Sequence, residues 1–156
     1  MKRWIVRVFA VVVGVFLLAG CSDLPRDPDG TLERVRSTGV LRAGASGSEG
    51  AVVVKDGRVS GPEADLVEGF ADSLGVRVEW RPGGEQELVA AMEDGELDVL
   101  AAGFADDTPW ADTVAVTRVY GAGKVGGDDV GRVLAVPLGE NALLVALETY
   151  LDRATP

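Results

Sequence analysis

The side chains best suited to ligand chemistry are acidic and lie in two short polar segments. Asp106, Asp107 and Asp112 follow one apolar run, and Glu49 follows an earlier one. Carboxylates in such loops could bind a cation or an amine, and the alternative is a solvated acidic loop. A glycosidase would need two acids fixed across a cleft, and no such pair is recognisable here. Trp110 is either a binding platform or a cover over the end of a sheet.

Composition excludes much of the common catalytic chemistry. The 156 residues include 25 acidic and 15 basic side chains, a net charge of −10 and no histidine. Without histidine, Ser-His-Asp and Cys-His catalysis and the usual zinc sites are excluded. The acidic balance argues against nucleic acid as a partner. Composition leaves enzymes that work with carboxylates or lysine possible. Because no catalytic constellation is recognisable, we expect a non-enzymatic globular protein with no cofactor and no metal ion.

The first 21 residues have the layout of a secretory leader. Lys2, Arg3 and Arg7 precede an uncharged apolar run over residues 8–20, which is short for a membrane span. The residues Leu-Ala-Gly-Cys that end at Cys21 resemble the lipobox of bacterial lipoproteins. This resemblance implies a lipoprotein signal peptide over residues 1–20 and a lipidated (palmitate-bearing) Cys21. The alternative is a plain transmembrane anchor. Pro25 and Pro28 stand among charged residues, which predicts a tether over residues 21–29.

Apolar spacing and turn residues predict alternating helices and strands from residue 30 onward. Helices are predicted over residues 31–38, 62–74, 85–94 and 141–153, and strands over residues 40–45, 51–55, 58–60, 76–81, 98–102, 113–119 and 132–137. In the second helix, Leu66, Phe70 and Leu74 form the expected buried stripe. The alternation predicts an α/β fold with a mostly parallel sheet flanked by helices.

Residues 120–131 break this pattern because they contain five glycines and two aspartates with little to bury. We predict a flexible, Gly-rich linker there. The globular part would then consist of residues 30–119 and 132–153.

Four segments, in this order, resemble the bacterial extracellular solute-binding proteins of family 3, which serve polar amino-acid ABC importers. They are TLERV to GVLRAG (residues 31–44), the segment with GPEADL (61–75), the segment with GELDV (88–103) and AVPLGEN (135–141). The resemblance implies a periplasmic-binding-protein-like fold. In that family two lobes close on a solute, so residues 120–131 would stand in place of the second lobe and leave a single lobe.

The resemblance also indicates where a ligand would bind. Ligands of open α/β sheets bind beyond the carboxyl ends of strands, which would bring residues 45–50, residues 103–112 and the linker together. Family members place a hydroxyl and an arginine in the loop that begins at Gly103. Those positions fall here at Ala105 and Asp107 for the hydroxyl, and at or beside Trp110 for the arginine. The ligand-binding candidates are Glu49, Gly103, Asp106, Asp107 and Trp110.

Two functions are compatible with these features. The first is a lipid-anchored, extracytoplasmic solute-binding-like protein of an ABC-type transport system, with weak or altered binding of a small polar or cationic solute. The alternative is a degenerate single-lobe lipoprotein that acts as a protein-interaction or regulatory subunit. The expected partners are the membrane, through a lipid on Cys21, and an ABC transporter permease or another membrane protein.

Overall fold

A computed structural model of the protein describes residues 27–155, so the predicted signal peptide and Cys21 lie outside the described residues. The helices of this part of the chain are α1 (Thr31–Thr38), α2 (Pro62–Leu74), α3 (Glu85–Glu93) and α4 (Asn141–Ala154). The strands are β1 (Val40–Ala45), β2 (Val53–Lys55), β3 (Arg58–Ser60), β4 (Arg77–Pro82), β5 (Val99–Ala105), β6 (Val114–Val116), β7 (Gly121–Val125) and β8 (Asp128–Pro137). A short 3-10 turn (Pro109–Asp112) precedes β6.

The main sheet has six strands in the order β4-β1-β5-β8-β6, with β7 paired to β8. Strand β1 pairs in parallel with β4 and β5, whereas β8 pairs antiparallel with β5, β6 and β7. Five strands therefore share one direction and β8 alone runs against them. The predicted α/β fold is confirmed, and its sheet is mixed because the chain returns through β8 directly beside the outgoing strand β6.

Helices cover both faces of the sheet, so its central strands are buried on both sides. One hydrophobic cluster joins β1, β5 and β8 to α1, α2 and α4, and a second joins β5, β6 and β8 to α3. Val99 and Ala101 of β5 belong to the first cluster, while Leu100 and Phe104 belong to the second. This alternation with period two explains why β5 reads as a continuous apolar run.

The prediction of a flexible linker over residues 120–131 is wrong in its local structure. Most of that segment forms a β-hairpin, in which β7 pairs with the first residues of β8 from Val125↔Asp128 to Gly121↔Arg132. Gly126 and Gly127 make the two-residue turn, both with positive φ (60° and 100°). A Gly-Gly pair is one of the preferred hairpin turns, and main-chain hydrogen bonds hold such a ladder without apolar side chains.

Candidate functional site

The carboxyl ends of β1 and β5 define one end of the molecule, which we call the carboxyl pole. Residues 45–50, residues 103–112 and the β7–β8 hairpin meet there, as the sequence predicted. The side chain of Arg132, which is only 4% exposed, contacts all three segments. Its guanidinium donates to the carbonyl oxygens of Gly103, of Lys124 (2.9 Å) and, at 3.5 Å, of Glu49. One buried cation thus joins all three segments.

Gly103 adopts a backbone conformation that a side chain would disfavour. Its φ is +64°, and a Cβ atom placed on it would lie 2.6 Å from the Cβ of Ser48 and 2.9 Å from Nη1 of Arg132. Its N–H donates to Oε2 of Glu63 at 2.9 Å. The close approach of Ser48 and Arg132 therefore requires glycine at this position.

Glu63, the second residue of α2, accepts hydrogen bonds from two segments of the carboxyl pole. Its side chain is fully buried, and Oε1 accepts a hydrogen bond from the hydroxyl of Tyr120 at 2.5 Å. Burial raises the pKa of Glu63 above its ordinary range, although the hydrogen bonds from Tyr120 and Gly103 and the positive charge of Arg132 oppose the shift. The pKa of Tyr120 is also raised, chiefly by burial and secondly by the neighbouring Glu63 carboxylate. Glu63 positions the main chain of the pole and does not itself reach solvent.

The predicted ligand-binding residues occupy the pole in different ways. Glu49, Asp106 and Asp107 are exposed. Asp106 is fixed to the hairpin because its N–H donates to the carbonyl of Gly131 at 2.9 Å. Glu49 contacts Arg132 through its main-chain carbonyl, which leaves its carboxylate on the surface. In residues 27–155, no group of three or more acidic or cysteine side chains is arranged to hold a metal ion.

Trp110 lies on the 3-10 turn and packs against the hydrophobic cluster on the α3 side of the sheet. Its indole Nε1 donates to the carboxylate of Glu85 at the start of α3. Trp110 is half-buried, and these contacts are those of a residue that covers the end of the sheet. Nearby, Asp112 is exposed.

Sequence reasoning missed the three residues that assemble the pole: Glu63, Tyr120 and Arg132. A signal for Glu63 was present, because it falls on the same helical face as the buried residues Val67, Phe70 and Ala71. Arg132 stands at the start of a buried apolar run in β8, where an inward-facing cation has no local signature.

The opposite end of the sheet, the amino pole, carries a groove of about 560 Å³ whose lining includes Arg34, Arg42 and Leu138. Both arginines bind the fully buried carboxylate of Asp98, Arg42 through Nη2 at 2.6 Å. Asp98 also accepts the N–H of Arg42 at 2.9 Å. This ion cluster ties the start of β5 to β1 and α1, so it stabilises the lobe.

Comparison with known families and proteins agrees with the fold. The family described as bacterial extracellular solute-binding proteins, family 3, matches residues 41–153. Among curated relatives, a membrane-bound lytic murein transglycosylase F of Vibrio cholerae is 33% identical over 90 residues, which cover 57% of this chain and 17% of that protein. Transglycosylase F 2 of Alkalilimnicola ehrlichii is 41% identical over 106 residues, covering 67% of this chain and 21% of that protein. The chain thus spans about a fifth of the length of these two relatives.

Solved structures match this fold over more than three quarters of the chain. Domain 1 of TmArgBP, in an arginine-bound form, superposes with a TM-score of 0.68 at 23% identity and covers 77% of this chain and 97% of that domain. An ancestral cationic amino-acid solute-binding protein gives a TM-score of 0.68 at 14% identity, covering 79% of this chain and 93% of that protein. No helix within residues 27–155 is long and apolar enough to cross a membrane.

Proposed function

Because the chain belongs to the bacterial extracellular solute-binding proteins of family 3, we propose that it binds a small solute at the carboxyl pole, outside the cytoplasm and without catalysing a reaction. The observation that carries this proposal is the convergence of three segments on Arg132 at the end of the sheet where α/β folds bind ligands. The chain contains no histidine, which excludes Ser-His-Asp and Cys-His catalysis and is compatible with a non-enzymatic role.

A single lobe is a sufficient scaffold for this role. Domain 1 of TmArgBP, which shares this fold, has been solved with arginine bound. One lobe nevertheless covers only part of a ligand. The position where the family resemblance implies an arginine holds Trp110, which cannot pair with the carboxylate of an amino-acid ligand. We therefore expect weak binding, with dissociation constants no better than about 1 mM, or about −4 kcal/mol.

The exposed carboxylates of the pole favour an amine or another small cation over an anion. Glu49, Asp106 and Asp107 are all exposed there. Calorimetry of the full chain in detergent, titrated with lysine, arginine, putrescine and glutamate, tests this proposal. Saturable heat from the cations, weakened in Asp106→Asn but not in Asp94→Asn at the amino pole, supports it. Micromolar binding of glutamate would contradict it.

The proposal extends to the membrane. Lipidation of Cys21 would hold the domain at the outer face of the cell membrane, where it would work with the permease of an ABC-type transporter. A single acyl chain binds a membrane only marginally, whereas two or more anchor a protein stably. Fractionation of cells after expression of the full chain, with and without a high-salt wash, tests the anchor.

A second candidate function is supported by the curated relatives. They are longer, membrane-bound enzymes by name, and this chain matches only a part of each. A lobe of this kind can therefore form part of a longer protein, which is compatible with a regulatory or protein-interaction role. If none of the solutes in the calorimetric titration above produced binding heat, this second function would be favoured over the first.

A further inference from the structure

Arg132 is a buried cation whose acceptors are main-chain oxygens. A buried guanidinium is costly unless its donors are satisfied. In the part of the chain that the structure describes, Arg132 forms no direct ion pair, and its partners are the carbonyls of Gly103, Lys124 and Glu49. The negative charge of Glu63 acts on it only at longer range.

Two glycines make room for the planar group. A Cβ atom on Gly103 would lie 2.9 Å from Nη1 of Arg132, and one on Gly123 would lie 2.9 Å from Cζ and 3.0 Å from Cδ. Real Cβ atoms do not approach other atoms this closely, so any side chain at either position would displace the guanidinium. The space between β5 and β7 therefore has the size and the oxygen lining of a guanidinium cage.

We infer that the carboxyl pole contains a guanidinium-binding cage, formed by the carbonyls of Gly103, Lys124 and Glu49, and that the chain's own Arg132 occupies it. Arg132 is thus an intramolecular ligand that holds the hairpin and residues 45–50 in place. The inference shares its location with the proposed function but does not depend on any external solute. Guanidinium compounds are the ligand class that the cage accepts when the Arg132 side chain is removed.

Chemical rescue of Arg132→Ala by guanidinium chloride at about 1–20 mM tests the cage, in the full chain held in detergent. We expect Arg132→Ala to melt several degrees below the wild type. Guanidinium at ten times its dissociation constant should raise that melting temperature by about 3–6 °C, and the same concentration of sodium or ammonium chloride should not. The wild type and Arg118→Ala, which removes an exposed arginine, should gain nothing. An equal response to guanidinium in all three proteins would overturn the inference.

Gly123→Ala provides a second test that keeps the arginine and also covers the case in which Arg132→Ala does not fold. Its added methyl group should push the guanidinium out of the cage and accelerate amide hydrogen exchange in residues 121–131, while exchange in β1 stays unchanged. Guanidinium should not reverse this effect, because the methyl group now fills the space. Unchanged exchange in the hairpin would refute the cage. Solute binding by the wild type is measured separately, so failure of either proposal is distinguishable from failure of the other.

Discussion

At a pH where Glu63 is ionised, removing the hydroxyl of Tyr120 should destabilise the lobe by about 1.5–3 kcal/mol, the value of a buried hydrogen bond to a charged group. The hydroxyl donates to Oε1 of the fully buried Glu63 at 2.5 Å, so Tyr120→Phe leaves that oxygen without its partner. The chain has only one other tyrosine, Tyr150, which is half-buried on α4. Its hydroxyl makes no side-chain hydrogen bond within residues 27–155, so Tyr150→Phe is a matched control with an expected cost below about 0.5 kcal/mol.

The buried Glu63, which accepts the Tyr120 hydrogen bond, also predicts how the stability of the fold depends on pH. Burial raises the pKa of Glu63, so the folded state retains this proton to a higher pH than the unfolded state does. The contribution of Glu63 to the free energy of unfolding is therefore most favourable below the ordinary glutamate pKa of about 4.3. This contribution decreases as the pH rises from the ordinary pKa through the raised pKa of the folded state. Glu63→Gln cannot lose a proton, so its stability relative to the wild type should improve as pH rises through that window.

Urea denaturation followed by tryptophan fluorescence, repeated at several pH values between about 4 and 8, measures both effects. Differences between two proteins at each pH cancel the titration of the other carboxylates, which all variants share. Two results would refute the reasoning. One is an equal cost for Tyr120→Phe and Tyr150→Phe, and the other is a stability difference between Glu63→Gln and the wild type that does not change with pH.

Three further changes have clear expected outcomes. Asp98→Ala should cost about 3–5 kcal/mol in urea melts because it leaves two arginines without their buried carboxylate, whereas the exposed Asp94→Ala should cost less than about 0.5 kcal/mol. Leu147→Asp should cost about 3 kcal/mol or more because Leu147 is fully buried on α4, and Val145→Asp on the same helix should be nearly neutral because Val145 is 59% exposed. Cys21→Ser should prevent processing by the lipoprotein route, and mass spectrometry that finds an unmodified Cys21 in the mature wild-type protein would contradict the anchor.

Local patterns predicted the elements of this fold well where glycine and apolar spacing act together. Helix α1 ends at Thr38, before Gly39 with a φ of +73°, as predicted. The predicted stripe of α2 was only partly right, because Phe70 is buried whereas Leu66 and Leu74 are half-buried. The helix instead turns Glu63, Val67 and Ala71 inward. This rotation depends on tertiary partners of Glu63 that lie 40 and 57 residues away, which no local pattern contains.

The site was less predictable than the fold for a physical reason. Exposed carboxylates such as Glu49, Asp106 and Asp107 can be recognised from loop position alone, and the structure does place them on the carboxyl pole. Residues 120–131, in contrast, were interpreted from composition, which favours flexibility when glycine is abundant. Here two of the glycines make a turn and Gly123 admits the Arg132 guanidinium, so their function is steric and depends on a contact outside the segment.

The charges of the carboxyl pole determine which solutes it favours. Residues 45–50, 103–112 and 120–132 contain six acidic and two basic side chains. One of the two, Arg132, faces inward to main-chain carbonyls, and the other, Lys124, pairs across the hairpin with Asp129 at 2.8 Å. Arg132 is buried, so it does not replace the arginine that the family resemblance implies near Trp110, and the charge of Lys124 is balanced by the neighbouring Asp129. The pole therefore presents net negative charge to solution, and electrostatics there attracts small cations and repels anions.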